Sequence, residues 1–144
     1  MIRYNYKGDG YNMCKKLYAD FTIREKEILT EILKKNSDKH IDICYHAKKR
    51  MAEKGIESKD IIEALKSFKI IELHLKDGDV RILIRGKATN SRNRNTCMSL
   101  SLSNMRIITV YQNCSMDGHK TLVRENYDDF NVENILKDLF NKIN

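Results

Sequence analysis

The feature that most constrains this fold is a run of four segments in which apolar and polar residues alternate. Residues 69–76 and 80–86 flank an Asp-Gly-Asp sequence, and residues 97–103 and 105–113 follow with the same period of two. That period is typical of β-strands, whose successive side chains point to opposite faces of a sheet. A glycine between two aspartates favours a tight hairpin turn because it tolerates positive φ. The pattern therefore predicts four consecutive antiparallel strands that form a β-meander.

Helical spacing of apolar residues precedes these strands and returns at the end of the chain. Thr22 and Glu25 have the spacing of a capping box, and the apolar face behind them predicts a helix from Ile23 to Lys35. Further helices are predicted to begin near Tyr45 and to run from Lys59 to Ser67 and from Val132 to Ile143. The predicted fold is α+β, with N-terminal helices packed on a four-stranded antiparallel β-meander and a short C-terminal helix. The helices would cover one face of the sheet and leave the other partly solvated.

A length of 144 residues favours a single domain. Within it we expect an N-terminal extension with one helix over residues 1–40, a core over residues 42–123 and the C-terminal helix within residues 130–143. The first twelve residues mix tyrosines with glycine and aspartate and show no sustained period. A loose tail and an added edge strand are both compatible with that composition.

The charge balance favours a polyanionic partner. The chain has 27 Lys and Arg against 20 Asp and Glu, a net charge of +7, which points to nucleic acid first and to an anionic membrane surface second. No apolar run approaches the length of a membrane span, and the N-terminus lacks the apolar segment of a signal peptide. We therefore expect a cytoplasmic protein without a membrane partner.

The cysteines do not indicate a metal centre. Cys14, Cys44, Cys97 and Cys114 are widely separated and form no CxxC pair, whereas zinc sites have closely spaced ligands. Thiols of a cytosolic protein are normally reduced, so we interpret these residues as small apolar side chains. No metal and no cofactor are predicted.

One predicted helix carries a pair of residues that could take part in catalysis. His46 and Arg50 are four residues apart, so their side chains lie one above the other on a helix face. An imidazole one turn from a guanidinium could transfer a proton beside a bound phosphate. A surface helix with a basic face has the same spacing, and these two residues alone do not decide between the interpretations.

Two segments resemble known families. Residues 46–65 (HAKKRMAEKGIESKDIIEAL) resemble the start of DUF4258, a family of small bacterial and phage domains in which two helices joined by a glycine turn precede a strand meander. Residues 106–122 (RIITVYQNCSMDGHKTL) are similar to the closing strand of RNase toxins of the barnase–EndoU–colicin–RelE-like superfamily. There a Thr-x-Tyr strand leads into a loop with Asn, Asp and His. Together the two likenesses cover about residues 42–123.

The resemblance implies metal-independent RNA cleavage, in which the ribose 2′-OH attacks the adjacent phosphorus and leaves a 2′,3′-cyclic phosphate. The catalytic roles that it implies are His46 as general base or acid, Arg50 and Arg85 as phosphate-holding residues, Thr109 and Tyr111 as hydroxyl donors, and His119 as the second acid or base. The predicted contacts with nucleic acid are Lys49, Asn113 and the basic loop residues Lys87, Arg92 and Arg94. RNA is the predicted partner, and toxins of this kind are often held inactive by a cognate antitoxin or immunity protein.

Two other functions are compatible with the same residues. The first is a non-catalytic nucleic-acid-binding or regulatory protein of a phage or mobile element, acting through its charge and the basic loop over residues 87–96. Its affinity would fall steeply with salt, and His46→Ala would matter little. The second is a protein-binding module that uses a sheet edge or the N-terminal helix and exposes an apolar patch. Whether the protein is an enzyme is left open at this point.

Overall fold

The structure is a computed structural model in which residues 13–117, 127–128 and 130–143 are described. The strands are β1 (Met13–Leu17), β2 (Asp42–Ile43), β3 (Phe68–Lys76), β4 (Asp79–Thr89), β5 (Arg94–Ser101) and β6 (Arg106–Cys114). The helices are α1 (Ile23–Lys35), α2 (Tyr45–Lys54), α3 (Ser58–Lys66) and α4 (Glu133–Lys142). The predicted α+β class is confirmed. No helix in the described part of the chain combines the length and apolarity needed to cross a membrane.

The strands form one mixed sheet in the order β1-β3-β4-β5-β6-β2. From β3 to β6 each strand pairs antiparallel with the next, as the alternating segments predict. The prediction of a four-stranded, wholly antiparallel sheet is nevertheless wrong, because β1 adds an antiparallel strand at one edge and β2 a parallel strand at the other. The sequence pattern indicates neither β1 nor β2. β1 contains consecutive lysines, and the two residues of β2 are too few to show a period.

The helices pack on one face of the sheet. The central strands contribute fully buried aliphatic side chains to this face, among them Ile82, Ile84 and Met98. Leu29 of α1 and Leu136 of α4 belong to the same continuous apolar cluster. The N-terminal extension and the C-terminal helix therefore share a hydrophobic core with the meander.

The opposite face is buried at its centre and partly exposed towards β6, where Thr109 is exposed, so the predicted partial solvation holds only away from the centre. Cys97, Ser99 and Ser101 follow one another on this side of β5, and all three are buried. The hydroxyl of Ser101 donates a 2.8 Å hydrogen bond to a carboxylate oxygen of Asp79. Alternation in a sequence distinguishes polar from apolar faces, but hydrogen bonding allows polar side chains to be buried.

Three elements are joined by the carboxylate of Glu25, which is fully buried in α1. One oxygen accepts the backbone N–H of Thr22 at 2.7 Å and completes the predicted capping box. The other accepts the N–H of Val132, just before α4, at 2.6 Å. The ammonium of Lys16 in β1 lies 3.1 Å from the first oxygen and donates a 2.6 Å bond to the carbonyl of Phe130. Burial alone would raise the pKa of Glu25, but these hydrogen bonds and the Lys16 charge bring it below its ordinary value.

We expect Glu25→Gln to lower the free energy of unfolding by about 3–5 kcal/mol, because it removes the carboxylate that neutralises the buried charge of Lys16. The measurement is urea denaturation at pH 7. Glu27→Gln is the matched control, since Glu27 lies on the exposed side of the same helix and pairs with Arg24. The control should change stability by less than about 1 kcal/mol. Equal effects of the two substitutions would contradict a central role for Glu25.

The same carboxylate predicts a pH dependence. Because the folded-state pKa of Glu25 is lowered, its contribution is complete above the pKa of the unfolded chain and disappears as pH falls through the folded-state value. Urea denaturation between pH 7 and pH 3 should therefore show a smaller acid-induced loss of stability in Glu25→Gln than in the wild-type protein. If the free energy of unfolding fell equally with pH in both proteins, Glu25 would not contribute to the acid sensitivity.

Helix α3 packs directly on β4 at Gly86. A Cβ atom added to Gly86 would lie 2.7 Å from the Cβ of Ala64 and 2.8 Å from its Cα. Such a distance is well inside van der Waals contact, so the helix and the strand can approach this closely only because residue 86 has no side chain.

We expect Gly86→Ala to destabilise the protein by about 1–3 kcal/mol through overpacking. Ala64→Gly creates space on the helix but costs about 1 kcal/mol in helix propensity. The double variant should therefore be more stable than the sum of the two single effects, which urea denaturation of all four proteins measures. Strict additivity would show that the two residues do not contact each other.

Candidate nucleic-acid interface

An open groove of about 460 Å³ lies between helix α2 and strand β6. The helix lines it with His46, Lys49, Arg50 and Glu53, and the strand lines it with residues 108–111. The four helix residues are spaced three or four apart and therefore lie on one face. Two cations and an imidazole face the groove beside one carboxylate, so its walls favour an anion.

The shortness of β2 creates this groove. Asp42 and Cys44 donate backbone hydrogen bonds of 3.1 and 3.0 Å to the carbonyls of Met105 and Ile107. At Cys44 the chain leaves the sheet and begins α2, whose Ala47 and Met51 turn inward. Beyond Ile107 the outer edge of β6 has no strand partner among the described residues. Helix α2, and not another strand, lies beside this edge.

The groove brings together five of the residues predicted from the sequence. They are His46, Lys49, Arg50, Thr109 and Tyr111. All except Tyr111, which is half-buried, are exposed to solvent. Residues distant in the sequence thus meet at one surface, as the proposed chemistry requires.

Arg85 lies outside this groove. Its side chain is 3% exposed, and one guanidinium nitrogen donates 2.9 Å hydrogen bonds to the side-chain oxygen of Asn95 and the carbonyl of Cys114. The guanidinium of Arg85 is therefore not exposed, and it is not available for the phosphate contact that the resemblance implies. β4 continues past Gly86 to Thr89 and this face of the sheet is buried, so Arg85 lies inside the structure.

Arg85, Cys97 and Tyr111 form a cross-strand row, in register on three adjacent strands, that reaches the groove at Tyr111. Cys97 and Tyr111 lie directly opposite each other on β5 and β6. Burial raises the pKa of the Cys97 thiol and the pKa of Tyr111 above their ordinary values. Both groups therefore keep their protons at neutral pH, which makes Tyr111 a hydrogen-bond donor and Cys97 a poor nucleophile.

Sequence reasoning missed the structural roles of Cys97 and Asn95. Asn95 holds Arg85 and also donates a 2.8 Å hydrogen bond to the carbonyl of Gly86. The polar positions are visible in the sequence, but their partners depend on a register that shifts between Arg85 and Thr89. Gly86 lies within the irregular stretch, and an isolated glycine in a strand is a sequence signal for such an irregularity, but it does not specify the partners.

The other predicted nucleic-acid contacts lie beyond the end of the groove. Lys87, Arg92 and Arg94 are exposed at the hairpin between β4 and β5. Arg94 pairs with Cys114, three residues along β6 from Tyr111, a distance of about 10 Å along the strand. Asn113 is partly buried.

The turn between β4 and β5 differs from the sequence prediction. The loop expected over residues 87–96 is shorter, because only residues 90–93 lie outside the two strands. Asn90 closes that turn by accepting the backbone N–H groups of Arg92 and Arg94 at 2.9 and 3.0 Å.

His119 lies outside the described residues. Within those residues, no group of three or more His, Cys, Asp or Glu side chains is placed to hold a metal ion.

Residues 43–112 match the family model described as "Domain of unknown function (DUF4258)". We call this DUF4258-like segment the DUF4258 domain. It contains every groove-lining residue named above, whereas β1, α1 and α4 lie outside it. No curated protein and no solved structure matches the chain. Because the family description assigns no activity, a functional proposal for the DUF4258 domain depends on the chemistry of the groove.

The burial of the cysteines predicts their reactivity. Cys114 is exposed, whereas Cys97 is fully buried with a thiol pKa raised by burial, so little reactive thiolate forms there. We expect Ellman's reagent to modify Cys114 first in the native protein and Cys97 only after unfolding in urea. Cys114→Ser should remove the fast phase, with peptide mapping to identify the labelled residues. Rapid labelling of Cys97 in the native protein would contradict its burial.

Proposed function

We propose that this protein is a metal-independent endoribonuclease of the toxin or effector type. The reaction is attack of the ribose 2′-OH on the adjacent phosphorus, which leaves a 2′,3′-cyclic phosphate. The observation that carries the proposal is the convergence of His46, Lys49 and Arg50 on α2 with Thr109 and Tyr111 on β6 around one open groove. The likeness of the β6 segment to RNase toxins supplies the reaction type.

The chemistry needs proton transfer but no nucleophile from the protein. As the bond between the 2′-oxygen and phosphorus forms, the bond to the 5′-oxygen breaks. In the proposed mechanism the imidazole of His46 accepts the 2′-OH proton. The leaving 5′-oxygen takes up a proton from a second group, for which His119 remains the candidate from the sequence.

Charge develops on the phosphate oxygens during this reaction, and the groove offers groups that stabilise it. Arg50 can donate two parallel hydrogen bonds through its planar guanidinium, and Lys49 adds a second positive charge. Thr109 presents an exposed hydroxyl, and the protonated phenol of Tyr111 is a hydrogen-bond donor. Such preorganised donors are a major source of stabilisation for phosphate transition states.

RNA longer than one nucleotide would continue past the groove towards the β4–β5 hairpin. Lys87, Arg92 and Arg94 extend the positive surface in that direction. Contacts of this kind attach to the phosphate backbone and do not select a base sequence. In this proposal the protein acts in the cytoplasm, with an antitoxin or immunity protein as the partner that restrains it.

The deciding experiment incubates total bacterial RNA with wild-type protein in EDTA, followed by gel electrophoresis and end-group analysis. We expect cleavage with 2′,3′-cyclic phosphate ends, and a rate at least about 100-fold lower for His46→Ala because proton transfer is lost. His40→Ala is the matched control, since His40 is an exposed histidine that does not line the groove. Equal cleavage by all three proteins would indicate a contaminating nuclease or a different site.

A non-catalytic nucleic-acid-binding or regulatory protein is the second candidate. The observation that favours it is the exposed basic hairpin, which lies apart from the groove and has no need of His46. The same proteins distinguish the two candidates. Absence of cleavage by the wild-type protein, together with RNA binding that weakens steeply with salt and is retained in His46→Ala, would establish this alternative.

A further inference from the structure

Tyr45 is an exposed aromatic residue beside the groove. It is the first residue of α2, and its side chain is 74% exposed. Every other aromatic side chain that the structure describes is at least partly buried. The ring of Tyr45 therefore contributes little to the hydrophobic core and is available to a ligand.

Its neighbours place this ring next to the proposed reaction centre. The ring of Tyr45 meets the imidazole of His46 edge-on, with centroids 5.9 Å apart and planes inclined by 69°. Lys49 is four residues further on, so it lies above Tyr45 on the helix surface while also lining the groove. An aromatic face, an imidazole and an ammonium group are thus grouped at the start of one helix.

We propose that Tyr45 forms a nucleobase subsite, in which its ring stacks on an unpaired base adjacent to the phosphate held by Lys49 and Arg50. Stacking on an aromatic side chain requires a base that is free of its own neighbours, as in single strands, loops and bulges. The subsite rests on the proposed function and adds a substrate class to it. That class is single-stranded RNA, with little selection among bases because every base has an aromatic face.

The test measures binding without cleavage, by fluorescence anisotropy with a labelled, fully 2′-O-methylated oligonucleotide of twelve nucleotides. A second probe of equal length has abasic sugars and the same phosphate charge. Tyr45→Ala should weaken binding of the first probe by about tenfold, the scale of one lost stacking contact, and leave binding of the abasic probe unchanged. Tyr45→Phe keeps the ring and should bind like the wild-type protein.

Ile62→Ala is the control for removal of an exposed apolar side chain, since Ile62 is 54% exposed on α3 and does not line the groove. It should bind both probes normally. Unchanged binding of the base-containing probe by Tyr45→Ala, or an equal loss with the abasic probe, would overturn the subsite.

The outcomes also separate the subsite from the proposed activity. A wild-type protein that binds through Tyr45 but never cleaves RNA overturns the ribonuclease and supports the subsite. A protein that cleaves RNA but binds it with no dependence on Tyr45 supports the ribonuclease and overturns the subsite. Failure of the wild-type protein both to bind either probe and to cleave RNA overturns both proposals.

Discussion

A single buried carboxylate, that of Glu25, links the three elements β1, α1 and α4 to one another. It accepts hydrogen bonds from the backbone at the starts of α1 and α4 and pairs with Lys16 of β1. All three elements lie outside residues 43–112. A buried carboxylate is tolerated only when its charge is paired and its oxygens are hydrogen-bonded. This requirement links the N-terminal strand and helix to the C-terminal helix, and the shared core then joins them to the meander.

The groove has a different origin, in the early end of a strand. Because β2 pairs with β6 over two residues only, the chain is free at Cys44 to form a helix alongside the sheet. The backbone edge of β6 and the basic face of α2 then become the two walls of one surface. Candidate functional side chains from distant parts of the sequence meet there, positioned by a helix and a strand and not by a long loop.

Local patterns predict most of the elements and which residues share one face of the candidate site. The capping box at Thr22 and Glu25 marked the start of α1, and alternation marked the central strands. The i, i+4 spacing of His46 and Arg50 predicted their common face, which the groove confirms. Arg85 was misplaced because burial of the second sheet face depends on tertiary packing. β1 and β2 were missed because a buried lysine and a two-residue strand do not produce the periodicity of a strand.

The edge of β6 beyond Ile107, which has helix α2 and no strand beside it among the described residues, affects how the protein behaves in concentrated solution. An edge strand with unpaired backbone groups is a template on which another chain can add a strand, and proteins commonly protect such edges with charge, lysine above all. Lys49 and Arg50 stand beside this edge and repel the identical edge of a second molecule. In the proposed function the same cations bind a phosphate, so one pair of charges would serve both binding and protection from self-association. Neutralising them should then remove an electrostatic barrier to aggregation as well as the proposed phosphate contacts.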